Sequence, residues 1–119
     1  MIEGSCHCKA VHFKINQSPK WLVDCNCSIC CRIGALWGHV EIESVTITSA
    51  KDSTISYVQG DKSLAIHTCK CCGCTTHWEN LQPDKSAQMA VNFRMCSSTD
   101  ISKFQIRVFD GADTWTFLN

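Results

Sequence analysis

The sequence predicts an all-β domain held together by metal, and three observations carry that expectation. Apolar residues alternate with polar ones along most of the chain. Helical periodicity is scarce. Eleven cysteines fall mostly in close groups where strands end.

The elements can be read in chain order. "AVHFKI" sets Val11, Phe13 and Ile15 on one face, the period of two that marks a strand. "VEIESVTIT" alternates twice, through Val40 and Ile42 and then Val45 and Ile47, and the phase slip near Ser44 reads as a turn or bulge. "TISYV" and "LAIHTC" read as a pair joined by the glycine-containing loop "QGDKS". "CTTHWEN" is a short β-prone run, and "QMAVNFRM" alternates Met89, Val91 and Phe93. "KFQIRVFDG" alternates Phe104, Ile106 and Val108 and stops at the turn signal Asp110-Gly111. That makes about eight short strands. The best helical stretch runs from Ser28, as cap, to about Leu36, and "SSTDIS" suggests a further turn.

Composition bounds what such a domain does. At 119 residues, the chain has room for one modest core, so residues 1–119 are expected to form one domain. Apolar residues make up 45% and charged residues only 18%, which excludes a disordered tail. Eleven basic and eleven acidic residues cancel, so no electrostatically driven nucleic-acid or membrane-surface partner is expected. No apolar run approaches the roughly 18 to 20 residues that span a bilayer. The start, "MIEGSCHCK", lacks the order of a signal peptide, so the expected compartment is cytoplasmic. The thiols in such a compartment read as metal ligands rather than disulfide halves, the more so because their number is odd and they are closely spaced.

The clusters differ in what they offer. Cys69-x-x-Cys72 followed by Gly73 is a knuckle, in which two thiolates fold back on one ion and the glycine permits the turn. Cys71-x-x-Cys74 is a competing register that the glycine disfavours. Cys6-x-Cys8 is the natural second pair, since residues two apart on an extended chain share a side, and His7 between them reads as solvent-facing. That leaves Cys25, Cys27 and Cys30, three ligands from one tight loop, the layout of a zinc with a free position. Cys31 or another thiol closing this second site is the alternative.

The series "GSCHCKAVHF", "CNCSICCRIGA", "CKCCGCTTHW", "VNFRM" and "FDG" resembles, in order and over nearly the whole chain, the glutathione-dependent formaldehyde-activating enzyme and centromere protein V family. The resemblance implies a β-tent of small sheets around zinc. It implies one structural zinc on Cys6, Cys8, Cys69 and Cys72, and a second on Cys25, Cys27 and Cys30, hence two zinc per chain. Glutathione is the implied co-substrate, its thiol meeting the second zinc in a carbon–sulfur lyase reaction on an adduct of the S-hydroxymethylglutathione type. Cys31, Cys71, Cys74 and Cys96 fall outside the family's ligand pattern.

The chemistry asks for further groups. His39 and His77 are the candidates for moving a proton. Arg32 and Arg94 are the candidates for the carboxylates of glutathione. Trp21, Trp37, Trp78 and Trp115 are expected to pack the core and rim. Two other readings stand beside the lyase. One is a non-enzymatic zinc-binding interaction protein or metal reservoir. The other is a redox enzyme of the methionine sulfoxide reductase B type with Cys96 as nucleophile.

Overall fold

The computed structural model describes residues 1–119, save the side chain of Gln59. Its strands are β1 (Ile2–Ser5), β2 (Val11–Ile15), β3 (Leu22–Cys25), β4 (Trp37–Glu41), β5 (Val45–Ser49), β6 (Thr54–Gln59), β7 (Leu64–Cys69), β8 (Thr75–Asn80), β9 (Gln88–Asn92) and β10 (Ile106–Phe109). Two short helices, α1 (Ser28–Ile33) and α2 (Ser98–Ser102), interrupt them. The fold is all-β, as the alternation predicts. The strands form a three-stranded sheet in the order β1-β2-β5 and a seven-stranded sheet in the order β10-β3-β4-β9-β8-β7-β6. Pairing is antiparallel except between β10 and β3.

Ten strands exceed the expected eight. The additional ones are β1 and β3. "IEGS" carries one large apolar side chain, and "LVDC" sets two adjacent apolar residues before Asp24 with no clean alternation, so neither advertises a strand. The slip near Ser44 is a 3-10 turn over Ile42–Ser44, and it does more than bend a strand. It carries the chain from β4 in the large sheet to β5 in the small one. The helix begins at Ser28, but the residue before it, Cys27, occupies the capping position, and the helix ends at Gly34, short of Leu36. The "SSTDIS" turn is α2, capped by the Ser97 hydroxyl, which accepts from the Asp100 amide.

The large sheet is apolar on both faces, and this decides where the chemistry lies. On one face Leu22, Val40, Val91 and Phe93 pack against Phe13 and Ile15 of the small sheet, forming the main core. On the other face lie Val23, Cys25, Trp37 and Ala90, with Trp78 and Phe109 against them. Alternation along β3 makes the division, since Leu22 turns to the inter-sheet core while Val23 and Cys25 turn to the opposite face. A third, smaller cluster joins Cys6, Val11 and Cys69 at one end of the molecule.

Candidate functional site

The first and third cysteine groups meet across the fold. Cys6 and Cys8 sit in the turn between β1 and β2. Cys69 ends β7, and Cys72 lies in the turn leading to β8. All four sulfurs lie within 4.8 Å of one another. The Cys6–Cys8 separation is 3.7 Å and the Cys8–Cys69 separation 3.6 Å. A disulfide needs about 2.05 Å. Tetrahedral zinc, with bonds of about 2.3 Å, sets its sulfurs about 3.8 Å apart, so the four thiols fit that ion.

The backbone is arranged to support thiolates. The Val11 amide donates to the Cys6 sulfur at 3.4 Å. Gly73 has φ 79°, a left-handed conformation that suits glycine, and its amide donates to the Cys69 carbonyl at 2.9 Å. This turn and the one between β1 and β2 direct amides at the sulfurs. Those of Cys8 and Cys74 hold the Cys72 thiol down at about 5, and those of Cys72 and Cys71 lower Cys69. Cys71 is exposed and outside the group, as is His7, while Cys74 lies beside the group without joining it.

The middle cluster is built differently. Cys25 ends β3, Cys27 precedes α1 and Cys30 rides on its first turns. Their three sulfurs also lie within 4.8 Å of one another, and among the described residues no fourth ligand joins them. The trio fits a soft ion with a free position. Cys31 is exposed, with its thiol 3.5 Å from the Ser28 carbonyl.

The Trp37 indole N–H donates to the Cys30 sulfur at 3.3 Å. Burial pushes the Cys25 and Cys30 thiols up, the Trp37 bond opposing it at Cys30. Burial pushes Cys27 up too, but the Cys30 amide, the neighbouring thiols and the Ile29 amide outweigh it and leave that thiol below its ordinary value.

Asn26, Asp110 and Gly111 build this loop, Asn26 without any sequence signal and Asp110-Gly111 read from sequence only as a turn. The backbone of Gly111 runs so close that a Cβ there would lie 2.7 Å from the Cys25 sulfur and 3.2 Å from the Cys27 Cβ. Asn26, between the ligands, donates from its side chain to the Asp110 carboxylate at 3.0 Å and accepts from the Ala112 amide at 3.0 Å. The Asn26 and Thr114 bonds hold the Asp110 carboxyl below its usual range. "DG" after a strand reads as a turn. Only the tertiary contact shows that it clasps the ligand loop.

A cavity of about 270 Å3 lies over the trio, lined among others by Cys25, Cys27, Cys30, Trp37, His39 and Trp78. His39 stands edge-on to Trp78 at 5.8 Å, and burial lowers its pKa, which keeps the imidazole neutral. His77 is elsewhere. It stacks on His67 at 4.7 Å in a separate cavity bordered by β5, the small sheet's edge. Burial, then the His67 charge, drive its pKa down to about 4.

Arg32 and Arg94 are exposed and line neither the cavity over the trio nor the one beside it. Both are tied to the helix that carries Cys30. Arg32 donates to the Ser28 carbonyl at 2.9 Å, and Arg94 donates to the carbonyl of the capping Gly34 at 3.3 Å. Cys96 is half-buried against the main core, and burial, then the Asp100 charge, push its thiol up to about 12, the reverse of what a nucleophile requires.

Together these features define an all-β protein with two thiol groups shaped for metal, one complete and one with a free position. The chain belongs to the glutathione-dependent formaldehyde-activating enzyme family, whose model matches residues 1–111. The fold is also that of a Rhodobacter sphaeroides protein known from a crystal structure. The two share 21% identity with a TM-score of 0.70, over 88% of this chain and 99% of that one. No curated protein sequence matches the chain. No helix among the described residues is long and apolar enough to cross a membrane.

Proposed function

We propose that the protein is a zinc-dependent carbon–sulfur lyase acting on a glutathione–aldehyde adduct of the S-hydroxymethylglutathione type. In this reading Cys6, Cys8, Cys69 and Cys72 hold a structural zinc, while Cys25, Cys27 and Cys30 hold a second. The observation that carries the reading is the convergence of three thiols, with no fourth among the described residues, beneath an open cavity. Zinc bound there would act as an electron-pair acceptor that keeps a substrate thiol deprotonated near neutral pH.

The reaction balances simply. The glutathione sulfur bonds to the aldehyde carbon, the carbonyl π pair moves to oxygen, and that oxygen takes one proton. In reverse, the carbon–sulfur bond breaks, its pair stays on sulfur, and the proton leaves the hydroxyl. His39, neutral and facing the cavity, is our choice to hold and return that proton. His77, in the other cavity, is not. Arg32 and Arg94 line neither cavity, so in this reading they meet the peptide carboxylates only where the tripeptide runs out of the cavity over the α1 side.

The test is calorimetric titration of glutathione into the zinc-loaded protein and its Cys27→Ser variant, with exchange between formaldehyde and glutathione followed by NMR. We expect binding and accelerated exchange only with Cys27 present. Glutathione binding that survives the substitution would remove the middle cluster from the reaction.

A second reading is a non-enzymatic zinc-binding module or metal reservoir. It is favoured by the exposed thiols of Cys31 and Cys71 beside the two groups. Zinc exchange without any catalysed aldehyde exchange would select it.

A further inference from the structure

Formaldehyde adds one carbon to sulfur and needs almost no room. The cleft beside the middle cluster offers much more. The cavity over the thiols shares Val23, His39, Phe109 and Trp115 with a second chamber of about 480 Å3. Four aromatic residues wall that chamber in edge-to-face pairs. Trp21 meets Phe117 at 5.6 Å, while Phe109 meets Trp115 and Phe117 at 5.1 Å each. Gln17, Ser18 and Gln88 also line it, and among the described residues Lys20 is the only lysine or arginine in its lining. The nearby Arg107 guanidinium lies over the Trp21 and Phe117 rings at 4.6 and 4.0 Å and donates to the Asn119 carbonyl, so it stiffens the wall from behind.

Beyond its edge-on contact with Phe109, Trp115 packs little. It is 71% exposed, and its φ of 59° is a left-handed conformation that a bulky side chain disfavours. Bonds from the Asp110 turn hold it there. The Trp115 amide donates to the Asp110 carbonyl at 2.8 Å, and the Thr114 hydroxyl donates to the Asp110 carboxylate at 2.8 Å. Burial does not offset this strain. Its result is an indole held where the two chambers adjoin.

We propose that the second chamber receives the organic group of an adduct larger than that of formaldehyde. The substrate class is an aromatic or bulky apolar aldehyde joined to the thiol sulfur, and Trp115 is the residue that sets the preference. This rests on the reading of the middle cluster as the thiol's site. An aryl group leaving water for this chamber gains apolar burial and edge-to-face contacts that a hydroxymethyl group lacks. The carboxylates of a peptide thiol find one cation in the chamber wall, so the chamber suits the aldehyde's part of the adduct better than the peptide's.

The test compares S-benzylglutathione with S-methylglutathione, stable thioethers standing in for large and small adducts, by calorimetry on the zinc-loaded protein. S-benzylglutathione is expected to bind at least about tenfold more tightly, from burial of the ring. Trp115→Ala should shrink that ratio to within about threefold, and Trp115→Phe should retain most of it. Trp115→Gly should lose the preference without lowering the melting temperature, which a packing residue could not do.

Equal affinity for the two thioethers, with glutathione itself still bound, overturns the aromatic chamber and leaves the thiol site standing. Failure of all three ligands to bind overturns both. A ratio unchanged in Trp115→Ala overturns the role of Trp115.

Discussion

The two thiol groups offer the same ligand atom and, in the proposed reading, serve opposite ends. Cys8 and Cys69 meet across 61 residues, so the closed group staples the turn after β1 to the β7–β8 turn. The binding free energy of the zinc proposed there would therefore be folding free energy. Cys25, Cys27 and Cys30 come from one loop of six residues, already shaped by β3, α1 and the Asp110–Gly111 clasp, so an ion there closes little chain entropy. On this reading ligand type does not separate a structural from a reactive site. Sequence separation, ligand count and access to a cavity do.

The sharpest way to break this comparison is to remove one thiol from each group. Cys72→Ser should abolish the native circular dichroism at 37 °C, because the apparent binding free energy of a structural zinc, about 10 kcal/mol or more, exceeds most domain stabilities. Cys27→Ser should keep that spectrum. Equal losses from the two variants would mean that both groups are structural.

Acid blurs the contrast, because a group outside both clusters also titrates. His77 has a native pKa of about 4 against an ordinary value near 6.5, so the folded state refuses a proton that the unfolded state accepts. Its contribution is complete above about pH 6.5, is lost as the pH falls toward about 4, and totals roughly 3 kcal/mol. Denaturant titrations from pH 7 to 4 should show that loss, and His77→Gln should flatten it.

Gly111→Ala sharpens the comparison from the backbone. The added Cβ meets the Cys25 sulfur, so zinc affinity of the middle group should fall about 10- to 100-fold while that of the closed group stays. A competition assay with a chromophoric chelator reads both. Cys31→Ser is the smallest change. Stability should move by no more than about 0.5 kcal/mol, with no zinc lost. Loss of a zinc would make Cys31 a ligand after all.

Much of this was legible in the chain. Val11, Phe13 and Ile15 announced a strand, and the paired spacings of Cys6/Cys8 and Cys69/Cys72 pointed to the thiols that meet. Alternation was silent on β3, because its adjacent apolar pair serves two cores at once, Leu22 on one face and Val23 with Cys25 on the other. Which histidine faces the thiols was equally hidden. His39 and His77 look alike in sequence, and only the stacking order of β4, β9 and β8 puts them on opposite faces. The clasp of Asn26 by Asp110 spans 84 residues, beyond any local pattern. Trp115 was expected to pack, and its left-handed, exposed placement came from hydrogen bonds in its own turn.

The central claim, one closed group and one open one, is tested most directly by counting zinc per chain in the unmodified protein and in Cys27→Ser. The account predicts two zinc falling to one, with the fold retained. One zinc in the unmodified protein, or loss of both in the variant, would contradict it.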